Sequence, residues 1–371
     1  MQSVVLAGGG SAGHVNPLLA TAAEITRRNP AARLTILGVE SGLEASLVPA
    51  AGLELTTIPK VPLPRRPSRQ MFTFPRSFQR AVGQVRDIIR QVDADIVLGF
   101  GGYVATPAYI AARREGVAYG IHEQNARPGY ANRYGARHAA LVALTFRSSR
   151  LAAQRGITEV TGLPLRGPIL DLAQRRRSHD GQWARETGAK ALGLDPQMRT
   201  IVVTGGSLGA QSINDAASVC SKFFQIHGMQ VLHLTGRGKA DAVRTRVKTN
   251  PHYHVLEYLD SMDQAYAVAD LVICRSGAGT VAELTALGLP AIYIPLPIGN
   301  GEQKENADDV LSAGGGVLLA DKDLNAASLQ RAITQLTADD DTLRRAGQAA
   351  ASVGCIDGAR RLVDELEKIS R

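Results

Sequence analysis

The sequence predicts an α/β protein of two Rossmann-like domains, each built on a parallel sheet, with the two halves facing each other across a cleft. Three observations predict it. Short β-branched runs alternate with amphipathic stretches along the chain, the signature of parallel sheets joined by helices. The 371 residues exceed the ~250–300 at which a single hydrophobic core stops growing, so two cores are expected. One pattern is also written twice. VVLAGGGSAG at 4–13 and VVTGGSLGA at 202–210 both run a strand into Gly-Gly-Ser-x-Gly, 196 residues apart, and DIVLGFGG at 95–102 and DLVICRSG at 270–277 repeat in the same order at an offset of 175.

The strands are placed at 3–7, 33–37, 95–100, 118–122, 200–204, 230–234, 270–274 and 291–294. Most end in glycine or a polar turn that opens a helical stretch. The domains are drawn at 1–163 and 164–345. They are separated by a polar stretch that carries Arg175, Arg176 and Arg177 and the single tryptophan, Trp183. Residues 346–371 form a C-terminal helical segment expected to pack back on the first domain; in it Ala359, Leu362, Val363, Leu366 and Ile369 recur at helical spacing.

Composition excludes several classes. With 44% hydrophobic and 20% charged residues, and no apolar run near the ~18 residues a membrane helix needs, the chain is expected not to span a bilayer. Met1-Gln2-Ser3 and the four apolar residues that follow lack the charged start and long apolar centre of a secretory signal, so a cytoplasmic location is expected. Cys220, Cys274 and Cys355 are odd in number and far apart, which indicates neither a disulfide framework nor a zinc site.

Six of the eight net positive charges lie between Val61 and Arg86, as Arg65, Arg66, Arg69, Arg76, Arg80 and Arg86, with no acidic residue among them. Phe72, Phe74 and Phe78, three of the seven phenylalanines, fall in the same segment. Aromatic and basic side chains together fit an interfacial contact with an anionic lipid surface, where apolar insertion and charge attraction add. The bland reading is a basic loop whose aromatics enter the core. Nucleic acid is disfavoured, because no stacking array or binding motif accompanies the charge.

Gly8 to Gly13 satisfies GxGxxG between a strand and a helix, where backbone N–H groups and the helix N-terminus receive phosphate. Glu40 lies 27 residues beyond Gly13, rather than the ~20 typical of a ribose-binding acid in a dinucleotide fold. His14 stands on the helix start, where the dipole disfavours its charged form and keeps the imidazole available as a base. The second glycine turn, Gly205–Gly209 with Ser207, has no lysine and is no Walker motif, so phosphate there would be held by backbone amides and hydroxyls. Arg275-Ser276-Gly277 opens a third helix, with Glu283 about one turn inside it: a solvated first-turn acid, or an acceptor for both hydroxyls of a ribose. His122-Glu123-Gln124-Asn125 follow a strand directly, at the end of a parallel sheet where ligands bind. The loop 295–306 ends in polar groups that suit sugar hydroxyls.

The ordered blocks GGGSAGHVNP, GFGGYVATP, HEQN, TGLPLR, GGSLGAQSIN, EYLDSM, CRSGAGTVAEL and GEQKENA resemble the bacterial MurG family, peripheral membrane N-acetylglucosaminyltransferases of the GT-B fold. The resemblance runs through nearly the whole chain. It implies transfer of N-acetylglucosamine, with inversion, from UDP-N-acetylglucosamine to the muramyl sugar of an undecaprenyl-diphosphate-linked muramyl-peptide, at the cytoplasmic face of the cell membrane. It implies no cofactor and no metal. Its donor contacts fall on Ser11, Ala12, Gly13, Asn125, Arg166, Ser207, Leu259, Ala278, Gly279, Thr280, Val281, Ala282, Glu283 and Gln303, with uracil at the Leu259 backbone and ribose at Glu283. Glu302 stands where the family commonly has glutamine. His14 is the expected base and Glu123 the second candidate; Phe72, Phe74, Phe78, Arg76 and Arg80 are the expected membrane contact. The rival readings are a UDP-N-acetylglucosamine 2-epimerase of the same double fold, a nicotinamide dehydrogenase, and a catalytically silent nucleotide-sugar-binding subunit.

Overall fold

The computed structural model describes residues 1–61, 70–178, 180–298 and 300–370, with the backbone alone at 70–73. The chain divides into two compact units, Met1–Arg166 with Asp357–Arg371, and Gly167–Ile356.

The first unit carries seven strands: β1 Ser3–Gly8, β2 Arg33–Gly38, β3 Leu55–Thr57, β4 Ile96–Gly101, β5 Ala118–Glu123, β6 Leu141–Leu144 and β7 Ile157–Val160. Their order is β3-β2-β1-β4-β5-β6-β7, and all pair in parallel. The second unit carries β8 Arg199–Thr204, β9 Met229–Leu234, β10 Tyr253–Leu256, β11 Leu271–Cys274, β12 Ala291–Tyr293 and β13 Gly316–Leu318. Their order is β10-β9-β8-β11-β12-β13, again parallel. Apart from β7 the two sheets match strand for strand. The sequence repeats fall on β1 and β8 and on β4 and β11, the central pairs between which the winding direction reverses.

Those central strands are buried on both faces, and so read as unbroken apolar runs. The strands absent from the sequence reading include all four edges. β3, β7, β10 and β13 are three or four residues long, and every residue of β7 is exposed. A half-solvated edge needs little apolar sequence, so it leaves little pattern.

One face of the first sheet packs on helix Gln70–Gln91 and helix Ala105–Glu115 through Val82, Val85, Ile89, Ala108 and Tyr109. The other face packs on helix Ala12–Arg28 and on the last helix, Gly358–Ile369, whose Leu362, Val363 and Leu366 are fully buried among Leu6, Leu18, Leu98 and Leu141. The last helix is thus part of the first unit, but 346–356, expected to go with it, stays with the second, where helix Asp340–Val353 packs Ala346 into that unit's core. Arg28 ties its outer side down, reaching Asp364 at 2.7 Å and Glu367 at 3.2 Å. The second unit has its own core around Ile201, Val203, Phe224, Ile273 and Ile333.

Candidate active site

In an open parallel sheet, ligands bind outside the strand C-termini where the strand order reverses. In the first unit that point lies between β1 and β4, and His14 occupies it. Ser11 is the N-cap of helix Ala12–Arg28, in extended backbone, and its hydroxyl makes no cap bond to a backbone amide. Instead Ser11 Oγ lies 3.1 Å from His14 Nδ1, and the Gly9 carbonyl lies 3.0 Å from the same nitrogen. A carbonyl can only accept, so Nδ1 carries the proton and Nε2 keeps the lone pair. The half-buried ring has its pKa lowered by desolvation, against smaller opposing effects of the Gly9 carbonyl and the Glu44 charge. His14 is therefore a neutral imidazole with one basic nitrogen.

The space for that nitrogen comes from Gly101 at the end of β4. Its φ of +96° favours glycine, and a Cβ there would lie 3.1 Å from His14 Nε2. Beside it, at the end of β5, Glu123 is 2% exposed. Its oxygens accept from the amides of Asn125 at 3.0 Å and Gly129 at 3.2 Å, and from Asn132 Nδ2 at 2.9 Å. Burial pushes the Glu123 carboxyl up, while those donors pull it down. So engaged, Glu123 holds the loop of Asn125 and Gly129 in place. His122 is fully buried, donates toward the Gly162 carbonyl at 3.0 Å, and is held by burial at about 4. Arg166 follows at the end of this unit, half-buried.

The second unit gathers its candidates the same way. Ser207 is exposed in the turn after β8, where Gly206 N donates to Thr204 Oγ1 at 3.1 Å and Lys239 Nζ to the Leu208 carbonyl at 2.7 Å. Gly209, at φ +66°, comes so close to the turn after β9 that a Cβ would lie 2.1 Å from the Thr235 carbonyl oxygen. Leu259 follows β10, and Ala278 to Glu283 form the start of helix Ala278–Leu287 after β11, with Gly279, Thr280 and Glu283 partly exposed and Val281 and Ala282 buried. Gln303, on the short helix Glu302–Asn306 after β12, accepts from the Leu296 amide at 3.0 Å through Oε1. Glu302 turns back on its own loop and accepts from Asn300 N at 3.2 Å.

Three organising residues escaped the sequence reading. Glu44 and Asn132 hold the first-unit loops. In the second unit Asp321 joins Arg275, read only as part of a turn, in a clamp. Arg275 reaches the carbonyls of Ile294 and Pro295, Asp321 Oδ1 at 2.5 Å and Ser212 Oγ at 3.1 Å, fastening together the segments that follow β8, β11, β12 and β13. A lone acid or amide in a loop carries no periodic signal, and only the fold brings these together.

The basic aromatic segment forms the start of helix Gln70–Gln91. Arg76 and Arg80 are exposed. Phe78 packs against the core, and Phe74 stacks on it with ring centres 5.4 Å apart. Phe78 thus takes the bland role of the two considered for this segment. The side chain of Phe72, and Arg65, Arg66 and Arg69, lie outside the described residues. Among the described residues no helix is long and apolar enough to cross a membrane.

Residues 4–144 match the glycosyltransferase family 28 N-terminal domain and residues 200–362 its C-terminal domain. A Bifidobacterium adolescentis protein described as UDP-N-acetylglucosamine–N-acetylmuramyl-(pentapeptide) pyrophosphoryl-undecaprenol N-acetylglucosamine transferase is 47% identical, over 96% of this chain and 94% of its own. The chain belongs to this transferase family. A Streptomyces coelicolor transferase of the same description is 45% identical over 98% of this chain and 95% of its own. Among solved structures, MurG of Acinetobacter baumannii superposes with a TM-score of 0.79 at 26% identity, covering 99% of this chain and all of that one. A UDP-GlcNAc 2-epimerase from Neisseria meningitidis superposes at 0.71 with 12% identity, over 99% of this chain and all of its own, a likeness of fold alone. The transferase family and the two GT-B-type sheets agree with the resemblance read from the motifs.

Proposed function

We propose that this chain moves N-acetylglucosamine from UDP-N-acetylglucosamine to the muramyl sugar of an undecaprenyl-diphosphate-linked muramyl-peptide, with inversion. The observation that carries the reading is the near-full-length identity with transferases of that description. The epimerase alternative has a likeness of fold only.

In this reading His14 Nε2 takes the proton of the acceptor hydroxyl as that oxygen attacks the anomeric carbon. The bond to UDP breaks on the opposite face, and its electron pair leaves with the diphosphate. A positioned base of this kind contributes ~10²–10⁴-fold. The Gly205–Gly209 amides, the start of helix Ala278–Leu287 and Arg166 stabilise the leaving charge as fixed dipoles and a cation. Glu283 accepts from the ribose hydroxyls, the Leu259 backbone pairs with uracil, and Gln303 donates to the sugar. Ser11, Ala12, Gly13 and Asn125 line the reaction side of the first unit.

The acceptor's lipid implies a peripheral place on the cytoplasmic face of the cell membrane. Phe72, Phe74, Arg76 and Arg80 are the contact with its anionic leaflet. Incubating the protein with radiolabelled UDP-N-acetylglucosamine, with and without the lipid-linked acceptor, tests the activity. Label in the lipid fraction only when acceptor is present is the expected result; a 2-epimer formed without acceptor contradicts it.

A further inference from the structure

Glu44 is 1% exposed, and both its oxygens are engaged by backbone. Oε1 accepts from Val39 N at 3.0 Å and Oε2 from Gly10 N at 2.9 Å. Three glycines vacate the space it fills. A Cβ on Gly9 or on Gly42 would lie 2.2 Å from a carboxylate oxygen, and one on Gly38 would lie 2.5 Å from Glu44 Cγ. A buried carboxylate is costly unless its lone pairs are satisfied, so a cradle this closely fitted points to a use beyond filling space.

The amide that Glu44 grips and the carbonyl that His14 bonds belong to one peptide group, Gly9–Gly10. A trans peptide is planar, with N–H and C=O on opposite sides, so fixing one fixes the direction of the other. We propose that Glu44, the Gly9–Gly10 peptide and His14 form a relay, in which Glu44 is a positioning residue that orients the imidazole through the peptide. The relay rests on the reading of His14 as the base. It does what a buried carboxylate does when it bonds an imidazole directly: it fixes the tautomer and ring orientation and stabilises the imidazolium formed as the proton arrives. Hydrogen bonds in series polarise one another, so the peptide conveys part of the carboxylate's charge.

Among the charged groups, Glu44 is the one whose charge acts on His14, raising its pKa. Neither β1 nor β4 carries a titratable side chain. Asn132, across from Gly101, is neutral and stands before Glu123, to which it donates at 2.9 Å. Glu24, Arg27 and Arg28 lie ten or more residues along the helix, ~15 Å away or more, and Arg28 is paired with Glu24, Asp364 and Glu367.

The test compares Glu44→Gln, Gly42→Ala and His14→Ala with the native protein in the transfer assay across pH, with Tm and UDP binding measured on the same preparations. Glu44→Gln keeps the size but sets an amide donor against a backbone donor and removes the charge that raises the His14 pKa. Its kcat should fall on the order of tenfold to a hundredfold with KM for the donor little changed, and the acid limb of its kcat profile should move to lower pH. Gly42→Ala displaces the carboxylate without neutralising it, and should lower kcat on its own. A lower Tm with native kcat and an unmoved acid limb in Glu44→Gln, or native kcat in Gly42→Ala, overturns the relay. In that case an inactive His14→Ala leaves the base reading standing. An active His14→Ala removes both.

Discussion

The residues proposed to carry the chemistry are defined by which atom of each is already occupied. His14 spends Nδ1 on the Gly9 carbonyl, Gln303 spends Oε1 on the Leu296 amide, and Glu123 spends both oxygens on its own loop. In the first two what remains is a lone pair and a pair of N–H donors. Two further histidines are fully buried and set a pH limit. His122, in the first unit, is held at about 4 by burial, and His233, bonded to Tyr253 and Asn214 in the second, at about 3. Both values lie below the ordinary 6.5, so between them and 6.5 the unfolded chain binds more protons than the folded one. Stability from this source is whole above about pH 6.5 and is lost as pH falls toward 4. For each histidine the loss approaches ~3 kcal/mol. Thermal denaturation at pH 7 and pH 5 should show a clearly lower Tm at pH 5, and His233→Gln should flatten the slope of the second unit's transition.

Among the elements, helix Gln70–Gln91 serves two surfaces. Its inner stripe of Ala81, Val82, Val85 and Ile89 is core, with Phe78 leaning on it. Its outer side presents Arg76 and Arg80, while Arg86 and Arg90 are held by Glu115 at 2.6 Å. The free cationic end is thus the N-terminal one, beside Phe74. Replacing Phe72 and Phe74 by serine should weaken sedimentation with anionic liposomes while sparing UDP binding; unchanged sedimentation would remove this segment from the membrane contact. The same helix shows what was legible in the sequence. The cluster of arginines and phenylalanines was visible as composition, but which phenylalanine faces inward depends on helical phase against a core that composition does not reveal. The glycine turns were legible for the opposite reason. A strand that must turn at once into a helix above a ligand needs glycines at fixed places, and both copies of that demand survive 196 residues apart. Glu44 left no such trace, because what defines it is a cradle assembled from Gly9, Gly38 and Gly42.

The whole molecule is one winding order used twice, with the chain's end returned to its beginning. Because Leu362, Val363 and Leu366 complete the core under β1 and β4, the first unit depends on residues more than 350 positions from its first strand. Leu366→Ala removes a fully buried side chain and should destabilise that unit by ~2–5 kcal/mol. Calorimetry should show its transition shifted down, while UDP binding, which we propose for the second unit, persists. Equal loss of both would contradict that division of labour. The proposed division puts donor recognition on the sheet of β8 to β13 and the base on the sheet of β1 to β7, so binding and turnover should be separable by mutation. The most direct test is radiolabel transfer from UDP-N-acetylglucosamine to the lipid-linked acceptor by the native protein and by His14→Ala, with UDP affinity measured on both. A fall in turnover of at least ~10²-fold with unchanged UDP affinity is the predicted result. Turnover at the native rate in His14→Ala would contradict the account.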